Sequence, residues 1–337
     1  MSQRIRVAVL AGGRSSEHEI SLASARSVVE ALDPKRYETH TIEIGRDGAW
    51  ALPPVSETAS LPLAGETFPI PIARTPSALG AVDVVFPILH GPFGEDGTVQ
   101  GLLELAGVPY IGAGVTASAL CMDKDLFKAV LRDRGIPVAP SITLRPGDAV
   151  ENPFGYPVFV KPARLGSSVG ISKARTAEEL EVAVALARRH DDKVLVEEFQ
   201  PGVEVEVGVL GNRNPVASVA GEIVSHADWY DFDAKYAEGG MDLIVPARLP
   251  AETIERVRQL AVASFIATDC EGMARVDFFV RPDGQVVVNE LNTIPGFTAT
   301  SVYAKLFAES GVPYAELLDR LVELALERHE QRRALAF

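Results

Sequence analysis

The sequence predicts an α/β protein in which an N-terminal parallel sheet is followed by a two-part α+β region. In the first third of the chain, short strand-like runs alternate with helical segments, and this alternation is typical of a parallel sheet. Farther along, neighbouring strand-like runs are joined by short turns, which is typical of antiparallel pairing. At 337 residues, the chain is long enough for two or three domains with cores of their own.

The N-terminal part is predicted to contain three strands and a helix. A strand over 5–10 leads to Gly12-Gly13, and Ser16-x-x-Glu19 predicts a capping box for a helix that runs through residue 32. Further strands are predicted over 37–44 and 82–89. Because sites in parallel sheets lie at the carboxyl ends of strands, we expect the segments 12–19 and 90–97 at one edge, where they can share a pocket.

The rest of the chain is predicted to contain more helices and strands. The predicted helices are 123–134, 176–189, 252–268 and 314–326, and the predicted strands are 157–161, 193–199, 203–210 and 215–220. A polar and aromatic segment, 226–240, is long enough to act as a loop over a site.

A hairpin near the C-terminal end carries acids. Two apolar runs, 278–280 and 286–288, flank Pro282-Asp283-Gly284, and Asp-Gly favours a two-residue turn. That turn would make Arg281 face Val286, Asp277 face Glu290 and Arg275 face Asn292.

Two opposed carboxylates on so apolar a hairpin indicate a cation between them, because they repel and are costly to desolvate. The oxygen ligands of Asp277, Glu290 and Asn292 suit magnesium or manganese. Taken alone, however, the segment fits a solvated acidic hairpin better.

Composition and charge exclude several classes of function. The net charge is −14 and no basic block occurs, so neither nucleic acid nor an anionic membrane is an expected partner. Cys121 and Cys270 lack ligand spacing, which argues against a disulfide framework or a zinc site and favours a reducing compartment. No signal peptide or membrane-spanning apolar run is recognisable, so we expect a cytoplasmic location.

A glycine-rich loop, 164–170, follows the strand that ends at Lys161. Glycines let backbone N–H groups turn toward an anion, and Ser167 and Ser168 add donors, so the loop is a candidate phosphate flap. No GxxxxGK[ST] motif occurs, and a loop of this kind is, by itself, more often a plain turn.

Two further motif matches are misleading. Residues 166–170 fit the G-x-S-x-G elbow of serine hydrolases, but Ser168 lies seven residues beyond the strand and a β-like segment follows. Residues 112–117 fit a loose dinucleotide fingerprint, yet no acid ends a strand about twenty residues later.

An ordered set of motifs spans residues 16 to 301. It consists of Ser16-Glu17-His18-Glu19, Leu89-His90-Gly91, Gly94-Glu95-Asp96-Gly97, Met122-Asp123-Lys124, Gly166-Ser167-Ser168-Val169-Gly170, Ala234-Lys235-Tyr236, Arg275-Val276-Asp277, Glu290-Leu291-Asn292 and Pro295-Gly296. The chain thereby resembles the D-alanine–D-alanine ligase family of the ATP-grasp superfamily. The resemblance implies a Rossmann-like substrate domain at 1–115, followed by an ATP-grasp module with a central subdomain at 116–198 and a C-terminal subdomain at 199–337.

The resemblance also implies a role for each site residue. ATP would contact Lys124, Lys161, Ser168, Glu197, Glu198, Phe199, Glu204 and Lys235. Two Mg²⁺ or Mn²⁺ ions would be held by Asp277, Glu290 and Asn292. The substrate and the reacting atoms would contact Glu17, His90, Arg275, Gly296, Ser301 and Val302. Ser167 and Tyr236 would join Glu17 in a bridge that closes a lid over the site.

The implied reaction joins two D-alanine molecules through an acyl phosphate, with release of ADP and phosphate, for peptidoglycan precursor synthesis, in a homodimer. Lys235-Tyr236 favours D-alanine over D-lactate as acceptor. The remaining alternatives are an ATP-grasp ligase that uses D-lactate or D-serine, a nucleotide-binding module without turnover, a serine hydrolase and a nicotinamide dehydrogenase.

Overall fold

The computed structural model describes residues 4–51, 82–225 and 241–335. Its α/β architecture confirms the predicted fold class. The elements that precede the central sheet are β1 (Ile5–Gly12), α1 (His18–Ala31), β2 (Tyr37–Ile44), β3 (Trp50–Ala51), β4 (Val84–Pro87), α2 (Thr98–Ala106), α3 (Val115–Met122) and α4 (Lys124–Asp133).

The described N-terminal strands form a sheet in the order β3-β2-β1-β4. Strand β1 runs parallel to both β2 and β4, and the short edge strand β3 is antiparallel. Residues Val7 to Gly12 are all buried, as expected for a strand covered on both faces. The segments that follow β1 and β4 therefore leave the sheet at the same edge.

The predicted capping box at Ser16 is wrong. Helix α1 begins at His18 after Glu17, which makes no capping hydrogen bond through its side chain. The chain leaves β1 through Gly12 and Gly13, with φ of 87° and 95°, and this left-handed turn moves the start of the helix one position along.

The central sheet contains only antiparallel pairs among its described strands. Its elements are β5 (Ser141–Leu144), β6 (Val158–Pro162), β7 (Ser172–Ala174), α5 (Ala177–Ala187) and β8 (Val194–Glu198), with the strand order β5-β8-β6-β7. Thr176 caps α5 because its hydroxyl accepts from Glu179 N–H at 3.2 Å.

The C-terminal sheet is also antiparallel, in the order β11-β10-β9-β12-β13. Its elements and the final helices are β9 (Val203–Gly211), β10 (Val216–Ser225), β11 (Met241–Ile244), α6 (Ala251–Ala267), β12 (Gly272–Val280), β13 (Val286–Asn292), α7 (Val302–Glu309) and α8 (Tyr314–Arg333). Helix α8 extends well beyond its predicted end at residue 326.

The turn between β12 and β13 differs from the prediction. Arg281 N–H donates to Gln285 O at 2.8 Å, so the turn contains three residues, and the predicted pairing of Arg281 with Val286 is wrong. Gly284, with φ of 82°, supplies the left-handed residue that ends three-residue turns of this kind.

A β-bulge restores the predicted register where the acids lie. Asn289 is left without a pairing partner on β12, and beyond it Asp277 faces Glu290 and Arg275 faces Asn292, as predicted. Bulges often aim a side chain toward a site. The longer turn shifts the strand pairing by one residue, and the bulge shifts it back by one residue.

The hydrophobic cores cross the predicted domain boundaries. Phe127 of α4 packs in one core with Phe265 and Val276 of the C-terminal part, while Leu318 of α8 packs with Phe86 of the N-terminal sheet. The boundaries at residues 115 and 198 stay predictions. None of the helices in the described ranges is both long and apolar enough to span a bilayer.

Candidate active site

Two adjoining cavities contain most of the predicted site residues. The first, about 450 Å³, lies between the central and C-terminal sheets, and the second, about 300 Å³, lies between the C-terminal sheet and the segments that follow β1 and β4. The predicted residues that line the first are Lys124, Lys161, Ser168, Phe199, Glu204, Asp277 and Glu290. Those that line the second are Glu17, His90, Ser167, Arg275, Asn292, Gly296, Ser301 and Val302.

Gly166 and Ser167 line both cavities, so the glycine-rich loop forms a shared wall. Ser167 and Ser168 have φ of 54° and 58°, a conformation that non-glycine residues rarely adopt outside functional sites. The loop joins β6 to β7, and no helix follows it directly. The serine-hydrolase elbow therefore does not form.

The dinucleotide fingerprint is not supported either. Arg328 of α8 donates to the backbone carbonyls of Tyr110 and Gly112, so a protein side chain binds the turn that would carry the fingerprint.

Two lysines project into the first cavity. Lys161 Nζ lies 2.6 Å from Glu197 Oε1. Lys124 Nζ donates to Leu165 O at 2.8 Å and lies 3.4 Å from Glu290 Oε2. Each lysine side chain is only 8% exposed. Positive charges in so buried a wall attract a polyanion strongly, because little water screens them.

Arg275 is held at the boundary of the second cavity by two acids. It donates to both oxygens of Asp277, through Nε and Nη2, at 2.7 Å, and its Nε lies 3.0 Å from Glu206 Oε2. Burial disfavours its charge, but Asp277 and Glu206 raise the pKa of Arg275 well above its usual value. Arg275 is thus a fixed cation with a defined orientation.

The acids of the hairpin fit a magnesium site that is completed by phosphates. Asn292 donates its amide to Asp277 Oδ2 at 3.0 Å, and Glu290 faces Asp277 across the hairpin. No group of three or more His, Cys, Asp or Glu side chains suited to a metal occurs within 4–51, 82–225 and 241–335. Mg²⁺ typically takes one or two carboxylates, with substrate phosphates as further ligands. Two carboxylates beside Lys124 and Lys161 match that pattern.

His90 and Glu95 together hold the backbone of Ile294 in the second cavity. His90 Nδ1 donates to Ile294 O at 2.9 Å, while Ile294 N–H donates to Glu95 Oε1 at 2.9 Å. Gly91 N–H donates to the other oxygen of Glu95 at 2.8 Å. Burial lowers the pKa of His90, despite the nearby Glu17, so the ring is neutral. Burial, reinforced by Glu17, raises the pKa of Glu95 to about 8.

This clamp fixes the loop that carries Gly296, two residues beyond Ile294. Ser301 and Val302, which also line the second cavity, follow Gly296 in the chain. Ser301 Oγ accepts from Thr298 N–H at 3.0 Å, and Val302 begins α7.

We expect Glu95→Ala to lower kcat about 10- to 100-fold, because small displacements of a positioning loop have effects of this size. The KM for ATP should change little, because Glu95 lines the second cavity and is not among the described residues that line the first. Steady-state kinetics with both substrates varied would measure this.

Asp96→Ala is the matched control. Asp96 also accepts from two backbone N–H groups, those of Phe93 in its own loop and of Thr98 at the start of α2, but both lie within three residues of it in the chain. It should retain activity within about 3-fold. Equal losses in the two variants would show that the clamp on Ile294 has no special role.

Not every predicted residue reaches a cavity. The Glu197 side chain is buried behind Lys161, and Glu198 Oε2 accepts from Gln200 Nε2 at 3.1 Å. Lys235 and Tyr236 lie outside the described residues, as does the predicted lid segment, 226–240.

Several residues with clear contacts were missed. Asn289 Oδ1 accepts from Lys161 at 3.2 Å, and Lys128 Nζ lies 2.8 Å from Glu197 Oε2. Glu206 and Glu95 bind Arg275 and Ile294, as described above. Two of these had a usable signal in the sequence. Lys128 lies four residues after Lys124 on one helical face, and Glu95 stands in the motif Gly94-Glu95-Asp96-Gly97.

Two family models match the chain. The model for the N-terminus of D-ala D-ala ligase matches residues 6–113, and the model for its C-terminus matches residues 130–323. The chain belongs to the D-alanine–D-alanine ligase family. D-alanine–D-alanine ligase from Geobacillus thermodenitrificans is 44% identical over 359 residues, with 99% of each chain covered. That from Deinococcus radiodurans is 49% identical over 336 residues, with 96% of this chain and 98% of the relative covered.

Solved structures of the D-alanine–D-alanine ligase family agree. The D-alanine–D-alanine ligase from Coxiella burnetii has a TM-score of 0.84 and 38% identity, covering 98% of this chain and 97% of that one. The VanG D-Ala:D-Ser ligase from Enterococcus faecalis has a TM-score of 0.83 and 36% identity, with coverages of 96% and 100%. The D-alanine–D-alanine ligase from Bacillus anthracis complexed with ATP has a TM-score of 0.79 and 27% identity, with coverages of 97% and 99%.

Proposed function

We propose that the chain catalyses the ATP-dependent ligation of two D-alanine molecules to D-alanyl-D-alanine, with release of ADP and phosphate, in peptidoglycan precursor synthesis. The supporting observation is the pair of cavities that share the loop at Gly166 and Ser167. One cavity presents lysines and acids suited to a nucleotide, and the other presents a carboxylate and an arginine suited to an amino acid.

ATP occupies the first cavity, with its phosphates toward Lys124 and Lys161, near Ser168. The strand end at Glu197–Phe199 lies toward the adenine, and Glu204 toward the ribose. Asp277, Glu290 and Asn292 would hold two Mg²⁺ or Mn²⁺ ions. When bound, these ions neutralise phosphate charge as the phosphoryl group moves.

The first D-alanine occupies the second cavity, its ammonium toward Glu17 and its carboxylate toward Arg275, with His90 holding the adjoining loop. An oxygen of that carboxylate attacks the γ-phosphorus of ATP, the bond to the β-bridging oxygen breaks, and ADP leaves. The product is an acyl phosphate, whose leaving group is phosphate rather than oxide. Arg275 orients the carboxylate and stabilises its charge.

The amine of the second D-alanine, after loss of a proton, attacks the acyl carbon. The tetrahedral intermediate carries an oxyanion, which Arg275 and the backbone N–H of Gly296 stabilise. The attacking nitrogen then gives its second proton to the leaving phosphate as the intermediate expels it, and the peptide bond remains. Ser301 and Val302 form the wall toward the second substrate, and the role proposed for Lys235 is to contact the carboxylate of that substrate or the transferred phosphate. Water would hydrolyse the acyl phosphate. We therefore also propose that Ser167 and Tyr236 form a bridge that closes a lid over the site.

Incubation of the purified protein with ATP, Mg²⁺ and D-alanine should give equal amounts of phosphate and D-alanyl-D-alanine. Parallel reactions that add D-serine or D-lactate test the alternative acceptors, of which D-serine is the substrate named for VanG. Mixed products at comparable rates would contradict the assignment of D-alanine as acceptor. ADP binding without any turnover would instead support a nucleotide-binding module. The homodimer and the cytoplasmic location stay predictions.

A further inference from the structure

Behind the first cavity, a buried carboxylate lies between two lysines. Glu197 Oε1 is 2.6 Å from Lys161 Nζ, and Glu197 Oε2 is 2.8 Å from Lys128 Nζ. The side chains of Glu197 and Lys128 are 2% and 1% exposed. Lys161 lines the first cavity, whereas Lys128 is not among the described residues that line either cavity. Lys128 therefore lies behind the cavity wall, and its only close anion among the described contacts is Glu197.

Lys128 and Lys161 differ in role because the single carboxylate of Glu197 cannot neutralise both of them. Burial would raise the pKa of Glu197, yet Lys128 and Lys161 lower it to about 2, so Glu197 is an anion at all physiological pH values. A buried anion needs a partner. If Lys161 were that sole partner, the charge of Lys161 would be neutralised by Glu197 and would attract a phosphate much less.

We propose that Lys128 is a positioning residue for the nucleotide. By neutralising Glu197, it leaves the positive charge of Lys161 available to a phosphate. The inference rests on the proposed function, in which Lys161 contacts ATP. Burial lowers the pKa of Lys128, Glu197 opposes this shift and Lys161 adds to it. With both lysines protonated, the triad of Lys128, Glu197 and Lys161 carries a net charge of one positive unit. Without Lys128, the remaining pair of Lys161 and Glu197 would have no net charge with which to attract a phosphate.

The test compares two competitive inhibitors against ATP, Mg²⁺–ADP and adenosine. Lys128→Met should raise the inhibition constant of ADP and the KM for ATP at least about 10-fold, the scale of one hydrogen bond to a charged group. The inhibition constant of adenosine, which has no phosphate, should change less than about 3-fold, as should the KM for D-alanine. Equal losses for ADP and adenosine, or unchanged ADP binding, would overturn the proposal.

The double variant Lys128→Met/Glu197→Gln provides the rescue. With the carboxylate gone, Lys161 is again available, and ADP inhibition should return to within about 3-fold of the parent. If Lys128→Met does not fold, Glu197→Gln alone decides. Relative to adenosine, it should bind ADP at least as tightly as the parent, and a tenfold weakening of ADP that adenosine does not share would contradict the proposal.

Arg328→Met is the control for loss of a buried cation. Arg328 is 5% exposed, donates to Tyr110 O at 2.6 Å and lies outside the described lining of both cavities. It should lower the melting temperature without changing the ADP-to-adenosine ratio. If the parent enzyme itself shows no turnover with D-alanine, the proposed function fails, whereas normal turnover with unaltered ADP binding in Lys128→Met rejects this inference alone.

Discussion

Arg275→Lys is expected to lower kcat about 100- to 1,000-fold, which is the scale of losing one transition-state electrostatic contact. Arg275 donates to both oxygens of Asp277 and contacts Glu206, and this geometry requires a planar fork. An ammonium group keeps the charge but cannot reproduce the fork while also reaching an oxyanion. Steady-state measurement of dipeptide formation, with the melting temperature of each variant, would check this.

Lysine is the replacement for Arg275 because it keeps a cation between the buried acids Asp277 and Glu206. Arg275→Met would leave Asp277 and Glu206 without that partner, at a cost of about 3–5 kcal/mol, and so would confuse catalysis with folding. Arg6→Lys is the matched control, since Arg6 forms the same fork with Asp83, through Nε at 3.1 Å and Nη2 at 2.7 Å, at the start of β1. It should keep activity within about 2-fold. Turnover of Arg275→Lys near that of Arg6→Lys would contradict the role of Arg275.

The sequence predicted local patterns well because their signals are local. Strand β2 matches the predicted strand over 37–44, and the segments after β1 and β4 do share a cavity, through Glu17 and His90. The edge of a parallel sheet brings such segments together, whatever the rest of the fold.

Contacts between distant strands could not be predicted in this way. Glu206 faces Asp277 because β9 pairs with β12, and no local pattern of apolar residues fixes which strands become neighbours. The register at Asp277 and Glu290 was predicted from a two-residue turn that does not form. The bulge at Asn289 happens to compensate for the longer turn, so a correct pairing followed from an incorrect turn.

Glu290→Gln is expected to lower kcat at least about 100-fold while leaving the fold intact. Glutamine has the same shape but removes the negative charge that faces Asp277 and lies 3.4 Å from Lys124. The amide oxygen is a weaker ligand for a hard cation than a carboxylate, so the Mg²⁺ concentration needed for half-maximal activity should also rise. Because Glu290 is 25% exposed and opposes another carboxylate, the melting temperature should stay the same or increase. A magnesium titration of activity and a thermal melt would measure both effects.

Asp283→Asn makes the same chemical change in the turn of the same hairpin, where the side chain is 50% exposed and accepts from Gln285 N–H at 3.0 Å. It should leave kcat and the magnesium requirement unchanged, because Asp283 does not line either cavity in the described part of the chain. A Glu290→Gln variant with normal turnover and an unaltered magnesium requirement would mean that this carboxylate binds no ion. Asp277 and Glu290 would then be balanced only by the protein's own cations, Arg275 and Lys124.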